Sequence, residues 1–137
     1  MTGGYGCIGA ETVKWLLRNS NASVVVDDEV RKLYMNRHWQ GSSRKNHQIM
    51  AAHVPMLVAP QSRRILVVGV GAGQTPSRFL MYDVDALHRV DIVPVIFDFI
   101  EEHFDSDCMS DSRIERISDD GRNYVASLRS GLRHHFD

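Results

Sequence analysis

Cysteine is nearly absent. Cys7 and Cys108 are the only two in 137 residues, they lie far apart, and neither has a CxxC partner. That excludes a disulfide framework and leads us to expect a reduced, cytoplasmic setting. Net charge is nearly absent too, at −1, so no global field draws the chain toward nucleic acid or an anionic membrane, and neither is an expected partner. The pairs Arg63-Arg64 and Arg44-Lys45 are too small to change this and read as solvated loop charges. No apolar run reaches the roughly 18–20 residues that span a bilayer. The opening Met1-Thr2-Gly3-Gly4 lacks the basic region and apolar stretch of a signal peptide. Seven histidines occur without a ligand spacing such as HExxH, and His134-His135 is a tail dipeptide, so no metal site is expected. What remains is 43% hydrophobic and 24% charged, the balance of a soluble domain long enough for one real core.

Two glycine loops punctuate the chain. The first, Thr2 to Gly9, leads into a helical stretch in which Ile8, Val13, Leu16 and Leu17 recur at helical spacing, ended by Asn19-Ser20-Asn21. Val24-Val25-Val26 reads as a short buried strand, and Arg31 to Met35 as extended again. A polar loop over Gly41 to Asn46 precedes a helix from about His47 to Val58, closed by Pro60. Ile65-Leu66-Val67-Val68 is a continuous apolar run of the kind buried on both faces of a parallel sheet. It enters Gly69-Val70-Gly71-Ala72-Gly73, and Thr75-Pro76 then starts a helix, with proline tolerated in the first turn. A strand at about His88 to Ile92 follows. Next comes a helix opened by Pro94 with Ile96, Phe99, Ile100 and Phe104 on one apolar face. Arg113 to Ile117 is a third strand, and Asp119-Asp120-Gly121 turns into a last helix carrying Tyr124, Val125 and Leu128. Strands alternating with helices predict a parallel sheet with right-handed crossovers.

A glycine loop between a buried strand and a helix lets a ligand approach the backbone closely, with helix N–H groups beside it. Gly69, Gly71 and Gly73 suit that task. Asp91 ends the next strand, where an acid can accept both hydroxyls of a ribose. Asp120-Gly121 follows the third strand, where an acid can accept an adenine amine. Three such features at three successive strand ends point to a nucleoside.

Those residues, with others upstream, resemble the spermidine synthase-like proteins (polyamine aminopropyltransferases). The likeness runs from Leu33 to Tyr124. Asn36-Arg37-His38-Trp39-Gln40-Gly41-Ser42 matches a family hairpin in which Gln40 would touch the nucleoside, and His53-Val54-Pro55-Met56 matches the end of a helix that follows it in the family. The resemblance implies an α/β fold: a Rossmann-like, S-adenosylmethionine-dependent methyltransferase-type parallel sheet, preceded by a short β-hairpin and incomplete at its C-terminus. It implies aminopropyl transfer from decarboxylated S-adenosylmethionine to an amine, with that nucleoside or S-adenosylmethionine itself as the small-molecule partner. It places Gln40, Gly69, Gly71, Gly73, Asp91, Asp120 and Gly121 around the nucleoside.

The departures bear on chemistry. The family's loop carries an aspartate where this chain has Ala72, its Tyr-His-Glu run is here His47-Gln48-Ile49, and its preceding acidic pair is here Ser43-Arg44. A polyamine needs carboxylates to offset its ammonium charges. The family's catalytic aspartate lies just beyond a fourth strand, which would begin about where Phe136-Asp137 closes this sequence, so no catalytic residue is assigned and nucleoside binding is the expected activity.

The first glycine loop resembles a second family, the NAD(P)-dependent epimerases and short-chain dehydrogenases. Gly3, Gly6 and Gly9 would cradle a pyrophosphate and Asp27 would hold a ribose. The strand that should precede Gly3 and the family's Tyr-x-x-x-Lys pair are missing, so NAD(P) is not the expected cofactor. The expected division is a dinucleotide-loop fragment over residues 1–27 and the synthase-like domain over 28–137, with Ser23 to Asn36 open to the alternative of being the synthase hairpin. Two other readings stand beside the first: an epimerase or dehydrogenase relic, and a non-catalytic interaction protein. The latter would form homo-oligomers through an unpaired sheet edge at Arg113–Ile117 or its neighbours.

Overall fold

The computed structural model describes residues 22–27, 30–44, 46–104 and 110–131. The first glycine loop, both cysteines and the His134-His135 pair lie outside the described residues. Among the described residues ten elements follow one another: β1 (Ala22–Asp27), β2 (Val30–Met35), β3 (His38–Ser42), α1 (Asn46–Val58), β4 (Arg64–Val68), α2 (Gln74–Phe79), β5 (Ala86–Asp91), α3 (Val95–His103), β6 (Ile114–Ser118) and α4 (Gly121–Gly131).

They build two sheets. The first is an antiparallel meander in the order β1-β2-β3, and the second is parallel in the order β4-β5-β6. β1 pairs with β2 along its whole length, from Ala22 opposite Met35 to Asp27 opposite Val30. Ala22–Asp27 and Val30–Met35 are therefore paired as neighbouring antiparallel strands. β2 and β3 meet at Asn36-Arg37, both left-handed at φ 50° and 64°, which is the backbone sense a two-residue hairpin turn requires.

The parallel sheet follows the sequence expectation closely, because its strands are short apolar runs and its connections carry helical patterns. Two clusters hold it. Ala52 and Met56 of α1, Phe79 of α2 and Ile65, Val67 and Leu87 of the sheet form one. Leu33 of β2, Val70 and Ala72 of the glycine loop, and Ile96, Phe97, Ile100 and Phe104 in and after α3 form the other, fastening the meander to the parallel sheet.

Two expectations need correction and a third needs extending. Val25 and Val26 are 48% and 65% exposed, so β1 is not a buried strand; the central strand β2, not β1, carries the buried Leu33. Val68 is 60% exposed, so β4 is not covered on both faces along its length among the described residues. In α3 the apolar face also takes in Phe97, which the sequence reading left out: it is buried, with Phe99 partly buried against the same cluster, and it lies under the guanidinium of the fully buried Arg89, 5.6 Å from its ring centroid.

Candidate nucleoside site

The two ends of the parallel sheet differ in character. At the start of its strands the charges neutralise one another. Arg63, just before β4, pairs with Asp83 at 2.6 Å and Asp85 at 2.8 Å, and the second of these bonds holds the Asp85 carboxyl below its ordinary range. Before β6, Asp111 takes the Arg113 guanidinium at 2.7 Å and its backbone N–H at 2.9 Å, which depresses its pKa to about 2. At the opposite, carboxyl end the strands run into the glycine loop, Asp91 and Asp119-Asp120, with a cleft beside them. Ligands of open α/β sheets bind at this end.

The cleft encloses about 380 Å³, at the lower end of the size that takes a small molecule. Gln40, Gly71 and Asp91 line it together, with Leu33, Met35 and Ile96 as apolar wall. Each polar residue arrives by a different local device. Gln40 is the extra residue of a β-bulge: Leu33 pairs with Gly41 and Tyr34 with Trp39, leaving Gln40 out of the ladder. A bulge re-aims a side chain that regular pairing would fix. Gly71 sits at φ 54°, and a Cβ there would come 3.4 Å from the Gln40 carbonyl oxygen. Asp91 closes β5 and holds the loop itself, because the Val70 N–H donates to Oδ2 at 2.8 Å and the Val93 N–H to Oδ1 at 3.0 Å. Each carboxylate oxygen keeps a second lone pair for a ligand hydroxyl.

The remaining residues expected at the site shape it without lining the cleft. Gly69 and Gly73 adopt φ of 84° and 76°, values that glycine reaches without strain. Asp120 Oδ1 accepts the N–H groups of Arg122 at 2.8 Å and Asn123 at 3.3 Å, an N-cap for α4. Its neighbour Asp119 donates its backbone N–H to the Asp91 carbonyl at 3.2 Å, tying the two strand ends together. Gly121 lies so close to β4 that a Cβ would fall 2.4 Å from Val68 Cγ1.

Sequence reasoning missed Gln48. Its Oε1 accepts the Ser42 N–H at 3.4 Å, its backbone carbonyl accepts the Thr75 hydroxyl at 2.8 Å, and its Nε2 lies 2.8 Å from where a Gly41 Cβ would stand. Gln48 thus ties α1 to β3 and to the first turn of α2, a role that a lone polar residue in a helix does not announce. Ala72 is 1% exposed, in the apolar cluster and facing Gly41, so it points into the core and not into the cleft. A second cleft of about 380 Å³ lies along α1 and β4; its walls include Pro55, Met56, Ile65, Val67 and Phe79, and none of the described residues lining it is ionisable. Among the described residues no group of three His, Cys, Asp or Glu could hold a metal, and no helix is long and apolar enough to cross a membrane.

Comparisons with known proteins agree with this architecture. The spermine/spermidine synthase domain family matches residues 44–137. A polyamine aminopropyltransferase of Clostridium acetobutylicum is 30% identical over 89 residues, which is 61% of this chain and 30% of that protein. One of Clostridium perfringens is 27% identical over 84 residues, 59% of this chain and again 30% of the relative. The chain thus spans less than a third of the length of these curated relatives. Among solved structures, spermidine synthase from Thermotoga maritima superposes with a TM-score of 0.72 at 19% identity, covering 79% of this chain and 39% of that one. A spermidine synthase in complex with the transition-state analogue AdoDATO gives 0.71, with the same identity and coverage. With the family match extending over most of its length, the chain belongs to the spermine/spermidine synthase domain family.

Proposed function

We propose that the cleft binds an S-adenosyl-type nucleoside, with the ribose hydroxyls on Asp91, the backbone at Gly71 against the sugar, Gln40 over the nucleoside and Asp120-Gly121 toward the base. For the protein as a whole the reading is aminopropyl transfer from decarboxylated S-adenosylmethionine to an amine, as in the relatives' name; no described residue is assigned as the base of that reaction. The observation that carries the binding reading is the convergence of Gln40, Gly71 and Asp91, from three separate segments, on one cleft at the carboxyl end of the sheet. The same reading places the protein in the cytoplasm. It also makes β4 and β6, the outer strands of the described parallel sheet, the surfaces through which copies would associate.

Changing the ligand tests the site without disturbing the fold. Calorimetric titration should show 5′-methylthioadenosine binding and its 2′-deoxy analogue weakened by about 1.5–3 kcal/mol, the scale of a lost hydrogen bond to a charged group. NAD should not bind. Equal affinity for the ribose and deoxyribose forms would take Asp91 out of the site, and silence with methylthioadenosine would end the nucleoside reading.

A further inference from the structure

Three side chains lock the first turn of α4 to the parallel sheet. His88 and Glu115 are register partners across β5 and β6, so they rise from the same face, and Glu115 Oε2 lies 3.2 Å from His88 Nε2. From α4 the Tyr124 hydroxyl meets His88 Nδ1 at 2.6 Å. His88 is 4% exposed in the middle of β5, where a polar side chain is kept only with hydrogen-bond partners. An ionised carboxylate only accepts, so Nε2 carries the proton that faces Glu115, and in the neutral ring Nδ1 is the acceptor. The bonds then run in one sense, from the Tyr124 hydroxyl to the ring and from the ring to the carboxylate. Burial, and after it the Glu115 charge, raises the Tyr124 pKa above its ordinary value, which keeps the hydroxyl protonated as a donor.

The turn that Tyr124 holds is the one that carries Asp120. The Tyr124 N–H donates to the Asp120 carbonyl at 2.9 Å, joining the two residues across a single helical turn. Two backbone features fix the near side of that turn: the Asp119 N–H on the Asp91 carbonyl, and the close approach of Gly121 to Val68. A turn gripped on that side alone would still tilt. The Tyr124 hydroxyl grips it a turn farther on, against β5 three residues before Asp91. We propose that Tyr124 is a positioning residue for the base end of the nucleoside site: through His88 and Glu115 it holds Asp120 where the carboxylate tells a purine amine from a purine carbonyl. This role rests on the nucleoside reading above and carries it to the residue that sets base specificity. An amine donates to a carboxylate and a carbonyl oxygen in the same place repels it, so the difference depends on where the carboxylate stands. The ribose contacts at Asp91 do not pass through this turn.

The experiment is calorimetric titration of the full chain with three probes: 5′-methylthioadenosine, 5′-methylthioinosine (a carbonyl in place of the amine) and 2′-deoxy-5′-methylthioadenosine. The wild type should bind the adenosine form at least about tenfold more tightly than the inosine form. Tyr124→Phe keeps the ring and removes only the hydroxyl. It should lower that base ratio about fivefold, the scale of one neutral hydrogen bond, and leave the ribose-to-deoxyribose ratio unchanged. Asp120→Asn keeps an oxygen for the helix cap and puts an NH₂ where the other oxygen stood. In that background Tyr124→Phe should change the base ratio no further, because its effect passes through Asp120. Glu115→Ala, at a side chain 62% exposed, should lower the base ratio about twofold, the scale of a solvent-screened ion pair, and serves where Tyr124→Phe does not fold. A base ratio unchanged in the folded variants, or base and ribose ratios falling together, would overturn the role of Tyr124 while leaving the nucleoside site standing. An effect that persists in the Asp120→Asn background would do the same. Wild-type protein that binds both bases alike would overturn the place of Asp120 and the role of Tyr124 with it, and silence with all three probes would overturn the site as well.

Discussion

Replacing Asp91 by alanine removes two hydrogen-bond acceptors at once, and the structure sets the size of the loss. The Val70 and Val93 N–H groups that donate to this carboxylate at 2.8 and 3.0 Å are part-buried, so water can replace the acceptor only incompletely. Leaving a buried donor unsatisfied costs about 1–3 kcal/mol, and the lower half of that range suits part-buried groups, giving roughly 2–4 kcal/mol for the pair. With a urea slope of about 1–3 kcal/mol per molar, the unfolding midpoint should fall by roughly 1–2 M. Asp91→Asn keeps one acceptor oxygen but turns an amide NH₂ toward the other donor, so its midpoint should fall by about half as much. Both are read by urea titration followed by circular dichroism, without any ligand. The loss would come from the loop, so hydrogen exchange at Val70 should accelerate in Asp91→Ala before exchange in the middle of β4 does. An alanine variant as stable as the wild type would refute the idea that the carboxylate anchors the glycine loop, and with it the pre-formed cleft.

Three further outcomes follow from particular contacts. Gly121→Ala puts a methyl 2.4 Å from Val68 Cγ1 and should destabilise by about 1–3 kcal/mol, with Val68→Ala restoring most of the loss in the double variant; no restoration in denaturant titration would refute the steric cause. Ala72→Asp does not recreate the family's carboxylate in the cleft. It buries one in the apolar cluster against Gly41 and should cost about 3 kcal/mol or more, measured by thermal unfolding; an unchanged midpoint would show that the loop turns this side chain outward. Asp111, held near pKa 2 by the Arg113 side chain first and its backbone N–H second, titrates lower in the folded than in the unfolded chain. Its contribution is therefore complete above about pH 4 and lost as the pH falls toward 2, so Asp111→Asn should lose less stability over that interval than the wild type; equal losses in urea titrations at each pH would count against the pairing.

The parallel half of the fold was legible because its signals are local: Ile65 to Val68 is a strand by composition, and the glycines after it turn the chain wherever it lies. The same holds for Asp91, placed at a strand end by the spacing of apolar runs. The meander was harder to see. His38 to Ser42 reads as polar and alternates poorly, because a bulge breaks the two-residue period and three of its five residues are exposed. Tertiary roles were invisible. Nothing in the string His-Arg-Val-Asp marks Arg89 as fully buried beside Phe97, since the ring that receives it lies across a helix connection. The expectation for Asp120 said nothing of its Oδ1, which caps α4 through a local bond that any aspartate before a helix can make.

The bulge at Gln40 separates what β3 needs to be a strand from what the cleft needs to be a site. Met35 pairs with His38, Tyr34 with Trp39, Leu33 with Gly41 and Lys32 with Ser42, and no pair in that series uses Gln40. If the residue were deleted outright, the partners on either side could close into an unbroken ladder, and Gly41 would still stand opposite Leu33. The strand would lose its extra twist and the cleft its amide, while the sheet would gain regular hydrogen bonds. Gln40 is thus a position whose presence works against the regularity of the hairpin that carries it. A shortened β3 would fold at least as readily, so a single-residue deletion can silence the cleft while leaving the pairing of the meander whole.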